Sequence, residues 1–285
     1  MSLRCAARRV VRLAGVAGGV GFLAVAFGQG PVRPASVTPA VDLPPLPLLP
    51  TSAKVVAANA SVDGSAALPK AIADARSACA KLRDYTCHLV RQEVVNGKLL
   101  PEQVAELRVR TKPLSVHVRV IAPKAVAGQE AIYQSAESTS KVRFRAAREA
   151  GIRTGFVTLP TDDPKVLAGT SHPLPETGLM AVIDRMDKAV ATEKQLNHPV
   201  QVLTAEYKFG GRAVTRYEVF ADRPHPHRYA YRCVLYVDNE TKLPARFEAY
   251  SQPKPGGPAE GELLEVQSFV GLKTNTGLGE SAFER

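Results

Sequence analysis

Two stretches of the sequence repeat apolar residues at the three- and four-residue spacing of an amphipathic helix. The first begins at Pro69, and its apolar positions are Ile72, Ala75, Cys79 and Leu82. The second follows residues 175–178, and its apolar positions are Leu179, Val182, Ile183, Met186 and Val190. Because charged residues fill the other side of both patterns, each stretch predicts a helix with one face packed on a core.

From Tyr85 onward the apolar period becomes two, which is typical of strands with one buried face. Asn96-Gly97 is a strong hairpin signal between two such strands. Valine, leucine or phenylalanine then alternates with arginine or histidine over 107–110, 116–120 and 142–145. Further strand-like runs cover 200–208, 213–221, 229–238, 243–250 and 262–270. The pattern predicts about nine or ten strands around two helices.

Such a long, twisted antiparallel sheet must curl. We therefore expect a mainly β (α+β) fold, in which a curved antiparallel sheet forms an open or incomplete barrel and helices cover its concave face. Eight residues are expected to form an apolar ligand-binding surface on that face: Val109, Val116, Val118, Val120, Val142, Phe144, Phe220 and Tyr236. The alternative is that these side chains make a sealed core without room for a ligand.

The N-terminal region has the pattern of an export signal. Residues 1–12 carry four arginines and no acid, and 13–27 are apolar and rich in glycine and alanine. This predicts a signal peptide over 1–28, cleaved near Gly28, with an uncleaved anchor helix as the alternative. Seven prolines follow within 29–68, which predicts an extended linker. One domain is expected over 69–285, in the periplasm or cell envelope.

Composition excludes several classes of protein. The chain has 285 residues, of which 45% are hydrophobic and 22% charged, so it is not a collagen, a coiled coil or a wholly disordered chain. No apolar run reaches the roughly 18 to 20 residues of a membrane-spanning helix, which excludes a polytopic membrane protein. Without residues 1–28 the formal charge falls from +10 to +6.

The remaining positive charge includes a row of arginines on the polar side of the predicted strands: Arg108, Arg110, Arg119, Arg143 and Arg145. A basic face suits an anionic membrane surface or an acidic polymer, although positive charge is also a common aid to solubility. We expect no nucleic-acid partner.

The sequence contains no catalytic motif of the usual kinds. Nucleophile-elbow, phosphate-loop, zinc-protease and C-x-x-C patterns are all missing. We therefore expect no enzyme, no catalytic residue, no cofactor and no metal site. Asp222, His225 and His227 could ligate a metal from one loop, but a proline-stiffened polar turn is the preferred interpretation. His172 and His198, each followed by proline, are expected to begin loops.

Three cysteines remain after the predicted signal, an odd number for an oxidising compartment. Cys87 and Cys233 lie in strand-like runs and could form a disulfide if those strands are neighbours. The alternative is that all three, including Cys79, are buried free thiols.

Several ordered segments resemble the exported bacterial family known as domain of unknown function 1571 (DUF1571). The similarity extends over about residues 70–285. The segments are 85–87 with Glu93 and 96–98, Arg110 with 112–116, 128–133, 172–179 (HPLPETGL), 236–250 (YVDNETKLPARFEAY), 263–265, 272–278 (LKTNTGL) and Phe283.

This resemblance implies a fold similar to the periplasmic lipoprotein carriers, the LolA-like proteins. In that fold an incomplete barrel receives acyl chains on its concave face. The resemblance implies no catalytic residue. We therefore expect a binding protein for a lipid, a lipidated protein or another apolar ligand. The alternative is a sealed structural or protein-interaction module of the envelope that uses the basic outer face.

Overall fold

A computed structural model describes residues 66–147, 155–199, 201–220 and 228–284. The predicted signal peptide over 1–28 lies outside the described residues. The same is true of 29–65 of the predicted linker, and of Asp222, His225 and His227.

Both predicted helices are confirmed. Helix α1 spans Ala67–Ala80 and helix α3 spans Leu179–Gln195, and each buries the apolar stripe that its periodicity predicts. The short helix α2 spans Pro164–Leu167. Short 3-10 segments occupy Lys124–Val126, Leu174–Glu176 and Glu280–Ala282.

The described residues form twelve strands, more than the pattern predicts. The unpredicted strands have two to five residues, at 98–99, 130–134 and 157–160. Because they are short, they offer too few alternating positions to be recognised. The strands are β1 (Asp84–Val95), β2 (Lys98–Leu99), β3 (Gln103–Thr111), β4 (Leu114–Ala122), β5 (Glu130–Gln134), β6 (Lys141–Arg145), β7 (Val157–Pro160), β8 (Gln201–Phe209), β9 (Arg212–Phe220), β10 (Arg232–Asp238), β11 (Pro244–Tyr250) and β12 (Leu263–Thr274).

The strands form one antiparallel sheet in the order β7-β6-β5-β4-β3-β1-β12-β11-β10-β9-β8, and β2 pairs with β1. Strand β1 lies near the middle, where it joins the early meander to the last strand, β12. The edge strands β7 and β8 do not pair with each other within the described residues. The fold is therefore a mainly antiparallel β sheet that is not closed into a barrel, as predicted.

The two sides of the sheet carry different residues. We define the inner face by Leu89, Leu107, Val118, Leu235 and Phe247, which belong to one continuous core with α1 and α3. Strands from both halves of the sheet contribute to this single core, which requires the sheet to curl around the helices. The outer face carries polar groups and a small apolar cluster of four buried residues: Phe209, Val214, Val234 and Tyr236.

The prediction for two apolar-face residues is wrong. Tyr236 belongs to the outer cluster, whereas its neighbours Leu235 and Val237 join the inner core. Phe220 follows Val219, an inner-face residue, so the alternation of the strand places Phe220 on the outer face too. Strands β9 and β10 have apolar residues on both faces, so the sequence pattern does not show which residues face inward and which face outward.

The condition for a Cys87–Cys233 disulfide is not met. Cys87 lies on β1 and Cys233 on β10, and β12 and β11 separate these strands. Cys79, Cys87 and Cys233 are all buried free thiols.

A close contact between β1 and α3 holds that helix over the inner face. The hydroxyl oxygen of Tyr85 accepts a hydrogen bond of 3.0 Å from the backbone N–H of Leu179, the first residue of α3. Gly178, the residue before Leu179, has a φ of +114°, and a Cβ atom at Gly178 would lie 2.2 Å from the Tyr85 hydroxyl oxygen. Only glycine fits this close approach in this conformation.

Candidate ligand cavity and buried carboxylate cluster

A cavity of about 880 Å³ lies over the inner face of the sheet, along one flank of α3 and beside the end of α1. The exposed Asp184 and Lys188 of α3 line it, so the cavity is open to solvent along that flank. His172 and residues 175–177 and 228–231 complete its wall. Much of the lining is apolar, as at Val109, Leu114, Leu179 and Met180. The volume falls in the range of about 300 to 1,000 Å³ that is usual for small-molecule sites.

The cavity contains few of the predicted ligand-binding residues. Of the eight, only Val109 lines it. Five others are buried in the inner core: Val116, Val118, Val120, Val142 and Phe144. They support the fold beside the cavity, and Phe220 and Tyr236 lie on the opposite face. The two helices and their flanking loops supply more of the lining than the valine-rich strands do.

Charged side chains interrupt the apolar lining. Lys112 and Lys188 line the cavity and are exposed, which places them where it meets solvent. Deeper in the lining, the guanidinium group of Arg228 donates two hydrogen bonds to the buried carboxylate of Glu193 on α3. Arg228 also lies 2.8 Å from His198 Nδ1. The cavity therefore offers apolar walls together with charged groups, an arrangement suited to an amphiphilic ligand.

Two glutamates lie opposite each other on neighbouring strands of the sheet, beside this cavity. Glu93 on β1 is the register partner of Glu265 on β12, and both lie on the inner-face side of their strands. Glu93 is 2% exposed and Glu265 is fully buried. Like charges placed directly opposite on neighbouring strands are destabilising. This pair therefore requires specific compensation.

The loop before α3 supplies that compensation for Glu93. Its Oε2 atom accepts hydrogen bonds from the backbone N–H of Ser171 at 2.7 Å, from the Ser171 hydroxyl at 2.9 Å and from the Thr170 hydroxyl at 2.9 Å. Its Oε1 atom accepts no hydrogen bond from the described residues. Among the described residues, Arg91 is the cation nearest to Oε1, and its Nη1 lies 3.9 Å away. One oxygen of Glu93 is thus held tightly and the other is not.

Three side chains lie within 3.3 Å of the Glu265 carboxylate. His172 Nε2 lies 2.9 Å from its Oε2, Gln267 donates to Oε2 at 3.3 Å, and Arg185 Nε lies 3.2 Å from its Oε1. Tyr229 is 44% exposed, and its hydroxyl contributes to lowering the pKa of Glu265. Burial by itself would raise the pKa of Glu265, but the His172 hydrogen bond and the charge of Arg185 outweigh it and hold that pKa below its usual value. Glu265 is therefore a carboxylate at neutral pH.

This cluster is not among the sites predicted from the sequence. His172 was expected only to begin a loop, and Glu93 and Glu265 were named only within the family resemblance. A signal exists in the strand pattern, because Glu93 continues the inward positions Tyr85, Cys87 and Leu89. A charged residue at an inward position predicts a buried polar site. The pairing of β1 with β12, which brings the two glutamates together, has no local signal.

The row of arginines on the outer face is not a row of free cations. Each of the five lies within ion-pair distance of a carboxylate, and the pairs are Arg108 with Glu106, Arg110 with Glu280, Arg119 and Arg145 with Glu130, and Arg143 with Glu137. The C-terminal segment covers part of this surface, since Phe283 is fully buried and its carbonyl accepts a hydrogen bond from Arg143. The charge that suggested a basic binding face is largely neutralised within the fold.

Sequence comparison assigns the chain to a family. A family model described as "Protein of unknown function (DUF1571)" matches residues 82–285. The chain belongs to this DUF1571 family. No curated protein matches the sequence significantly. In the part of the DUF1571 chain that the structure describes, no helix is both long and apolar enough to cross a membrane.

Several solved structures are similar to this DUF1571 protein at low sequence identity. MucB, also solved as the MucA/MucB complex of Pseudomonas aeruginosa, has a TM-score of 0.45 and 16% identity, covering 78% of this chain and 64% of that one. An uncharacterized conserved protein from Thermus thermophilus has a TM-score of 0.43 and 10% identity, covering 77% and 93%. The Mycobacterium tuberculosis lipoprotein LppX has a TM-score of 0.42 and 12% identity, covering 75% and 98%. The chain spans less than two thirds of the MucB chain.

Proposed function

We propose that this DUF1571 protein is an exported binding protein, not an enzyme, that holds a lipid, an acyl chain or another apolar ligand in the cavity beside α3. The observation that carries the proposal is the cavity of about 880 Å³ over the inner face, beside α3. Its place in the periplasm or envelope rests on the signal pattern of residues 1–28.

The lining favours a ligand with a long apolar part. Val109, Leu114, Leu179 and Met180 present hydrocarbon to the cavity. Burying a methylene group against such walls contributes about 0.8 kcal/mol. The exposed Lys112 and Lys188 stand where a polar head group would remain in contact with water. An acyl chain with a polar end meets both conditions.

The alternative expectation, a sealed module that acts through its basic outer face, has less support. A sealed core would leave no cavity of this size beside α3. The five outer arginines already have carboxylate partners, so they offer little unbalanced charge to an anionic membrane or polymer. Binding through the cavity is therefore the function that the geometry supports best.

The experiment compares two substitutions on the same helix. Ala189 on α3 lines the cavity, whereas Ala191, two residues later, is exposed and does not. Ala189→Trp places an indole ring in the cavity and should weaken uptake of a fluorescent fatty acid at least about tenfold. Ala191→Trp adds the same side chain outside and should leave uptake unchanged.

Thermal unfolding of both variants shows whether α3 remains folded. The proposal is contradicted if the wild-type protein takes up no fatty acid. It is also contradicted if A189W and A191W bind the fluorescent fatty acid with equal affinity, because the fatty acid would then lie outside the cavity.

A further inference from the structure

The cluster around Glu93 brings three metal-ligating groups together. One carboxylate oxygen of Glu93, one of Glu265 and a ring nitrogen of His172 all lie within 4.8 Å of one another. The groups come from β1, from β12 and from the loop before α3, so the sheet and the loop must both be in place to form the cluster. All three side chains are buried or nearly so.

The contacts around the cluster resemble the supporting contacts of a metal site. The loop holds Oε2 of Glu93 with three hydrogen bonds and leaves the buried Oε1 without one from the described residues. On the other side of the His172 ring, Nδ1 lies 4.0 Å from the carboxylate of Glu176, too far for a hydrogen bond. The hydrogen bonds to Glu93 Oε2 are the kind of outer contact that orients a ligating carboxylate in metalloproteins.

We propose that Glu93, His172 and Glu265 bind one divalent transition-metal ion of the zinc type. Two carboxylate oxygens and one imidazole nitrogen are a donor set that Zn²⁺ accepts, whereas Ca²⁺ and Mg²⁺ prefer oxygen alone. Three protein ligands leave a fourth position open, and His172 lines the cavity, which gives that position access to a water molecule or a ligand.

Two arginines compete with the metal for the same carboxylates. Arg185 lies 3.2 Å from Glu265, and Arg91 lies 3.9 Å from Glu93. A metal ion between the glutamates is attracted by their full negative charge only if these guanidinium groups are absent or displaced. Arg185→Met should therefore strengthen zinc binding, because it removes the closer competing charge and leaves the three ligands in place.

The proposal is independent of the proposed function, since the metal binds to groups of the wall whether or not the cavity holds an apolar ligand. Isothermal titration of zinc into chelator-treated, tag-free full chain measures it directly. We expect one ion per chain. Glu93→Gln retains an acceptor for the loop but loses the charge, so it should weaken zinc binding at least about tenfold.

The matched control addresses the other candidate ligands. The double variant His225→Asn and His227→Asn removes the histidine pair of the loop named in the sequence analysis and should leave zinc affinity unchanged. Cobalt substitution in the wild-type protein gives a second measurement that does not depend on a variant folding. We expect d–d absorption bands without a thiolate charge-transfer band, because the three proposed ligands are oxygen and nitrogen donors. A thiolate band would overturn the assignment.

The proposal is overturned if the wild-type chain binds no zinc at sub-millimolar concentration. It is likewise overturned if the double histidine variant abolishes binding while E93Q retains it, because the loop would then hold the metal. Weaker zinc binding in Arg185→Met would show that Arg185 does not compete with the metal for Glu265.

Discussion

At the scale of single residues, burial controls the chemistry of the three cysteines. It raises the pKa of Cys79 and Cys233 to about 12, and it also raises the pKa of Cys87. The thiols therefore stay protonated at pH 8, and the thiolate is the reactive form. We predict that Ellman's reagent labels none of the three in the native protein at pH 8 and all of them in guanidinium chloride. A Cys87–Cys233 peptide in a non-reducing digest would contradict this.

Asp84 shows how one buried carboxylate joins two distant parts of the chain. It is 4% exposed and accepts hydrogen bonds from the backbone N–H and hydroxyl of Thr276, at 2.6 and 2.8 Å, and from the N–H of Gly277. Burial by itself would raise the pKa of Asp84, but these hydrogen bonds hold it below its usual value. Asp84→Asn should lower the free energy of unfolding by about 1 to 3 kcal/mol at pH 7.

The pH dependence of that difference follows from the sign of the shift. A lowered folded-state pKa stabilises the fold above the unfolded value, near 3.9, and this stabilisation is lost as the pH falls through the folded value. The gap between wild type and D84N in urea unfolding should therefore narrow below about pH 4. Asp162 is exposed, so Asp162→Asn is the control, and its free energy of unfolding should equal that of the wild type at pH 7 and below pH 4 alike. If the difference between the wild type and D84N does not change with pH, the lowered pKa of Asp84 is not its cause.

At the scale of elements, periodicity predicted the helices well and the strand faces incompletely. Helices α1 and α3 lie where the 3.6-residue pattern predicts them, because each buries one stripe and exposes the other side. Strand β10 is apolar on both faces, so alternation did not show that Leu235 faces inward and Tyr236 outward. The carboxylate cluster could not be predicted, since the β1–β12 register that pairs Glu93 with Glu265 is a long-range property.

The junction between β1 and α3 is a sensitive point of the fold. Gly178→Ala adds a Cβ atom 2.2 Å from the Tyr85 hydroxyl oxygen at φ +114°, so the hydrogen bond to Leu179 must break or the helix must shift. We predict a loss of roughly 3 kcal/mol in the free energy of unfolding, from backbone strain and lost packing together. Chemical denaturation measures this loss.

Gly97→Ala is the matched control, because Gly97 also has a positive φ, +76°, but an added Cβ meets nothing within 4 Å. It should cost only the conformational part, about 1 kcal/mol. Equal losses for the two variants would show that the contact with Tyr85 does not position α3.

At the scale of the whole molecule, the cavity arises from the assembly and not from any single strand. The valine-rich strands predicted to bind the ligand fill the core, while the helices, the flanking loops and Tyr85 form most of the cavity lining. The outer arginines were predicted correctly as a polar face. Their neutralisation depends on acids from other strands and from the C-terminal segment, which a local pattern does not show. Fold class is thus visible in sequence, whereas the position of the site requires the structure.

The cavity beside α3 should hold an apolar ligand in the native protein. Native mass spectrometry of the protein purified from its own compartment, followed by lipid extraction, tests this directly. We predict a discrete additional mass that is released on denaturation and resolves into lipids or a lipidated peptide. A mass equal to that of the polypeptide alone, together with no uptake of fatty acid, would show that the cavity holds no apolar ligand.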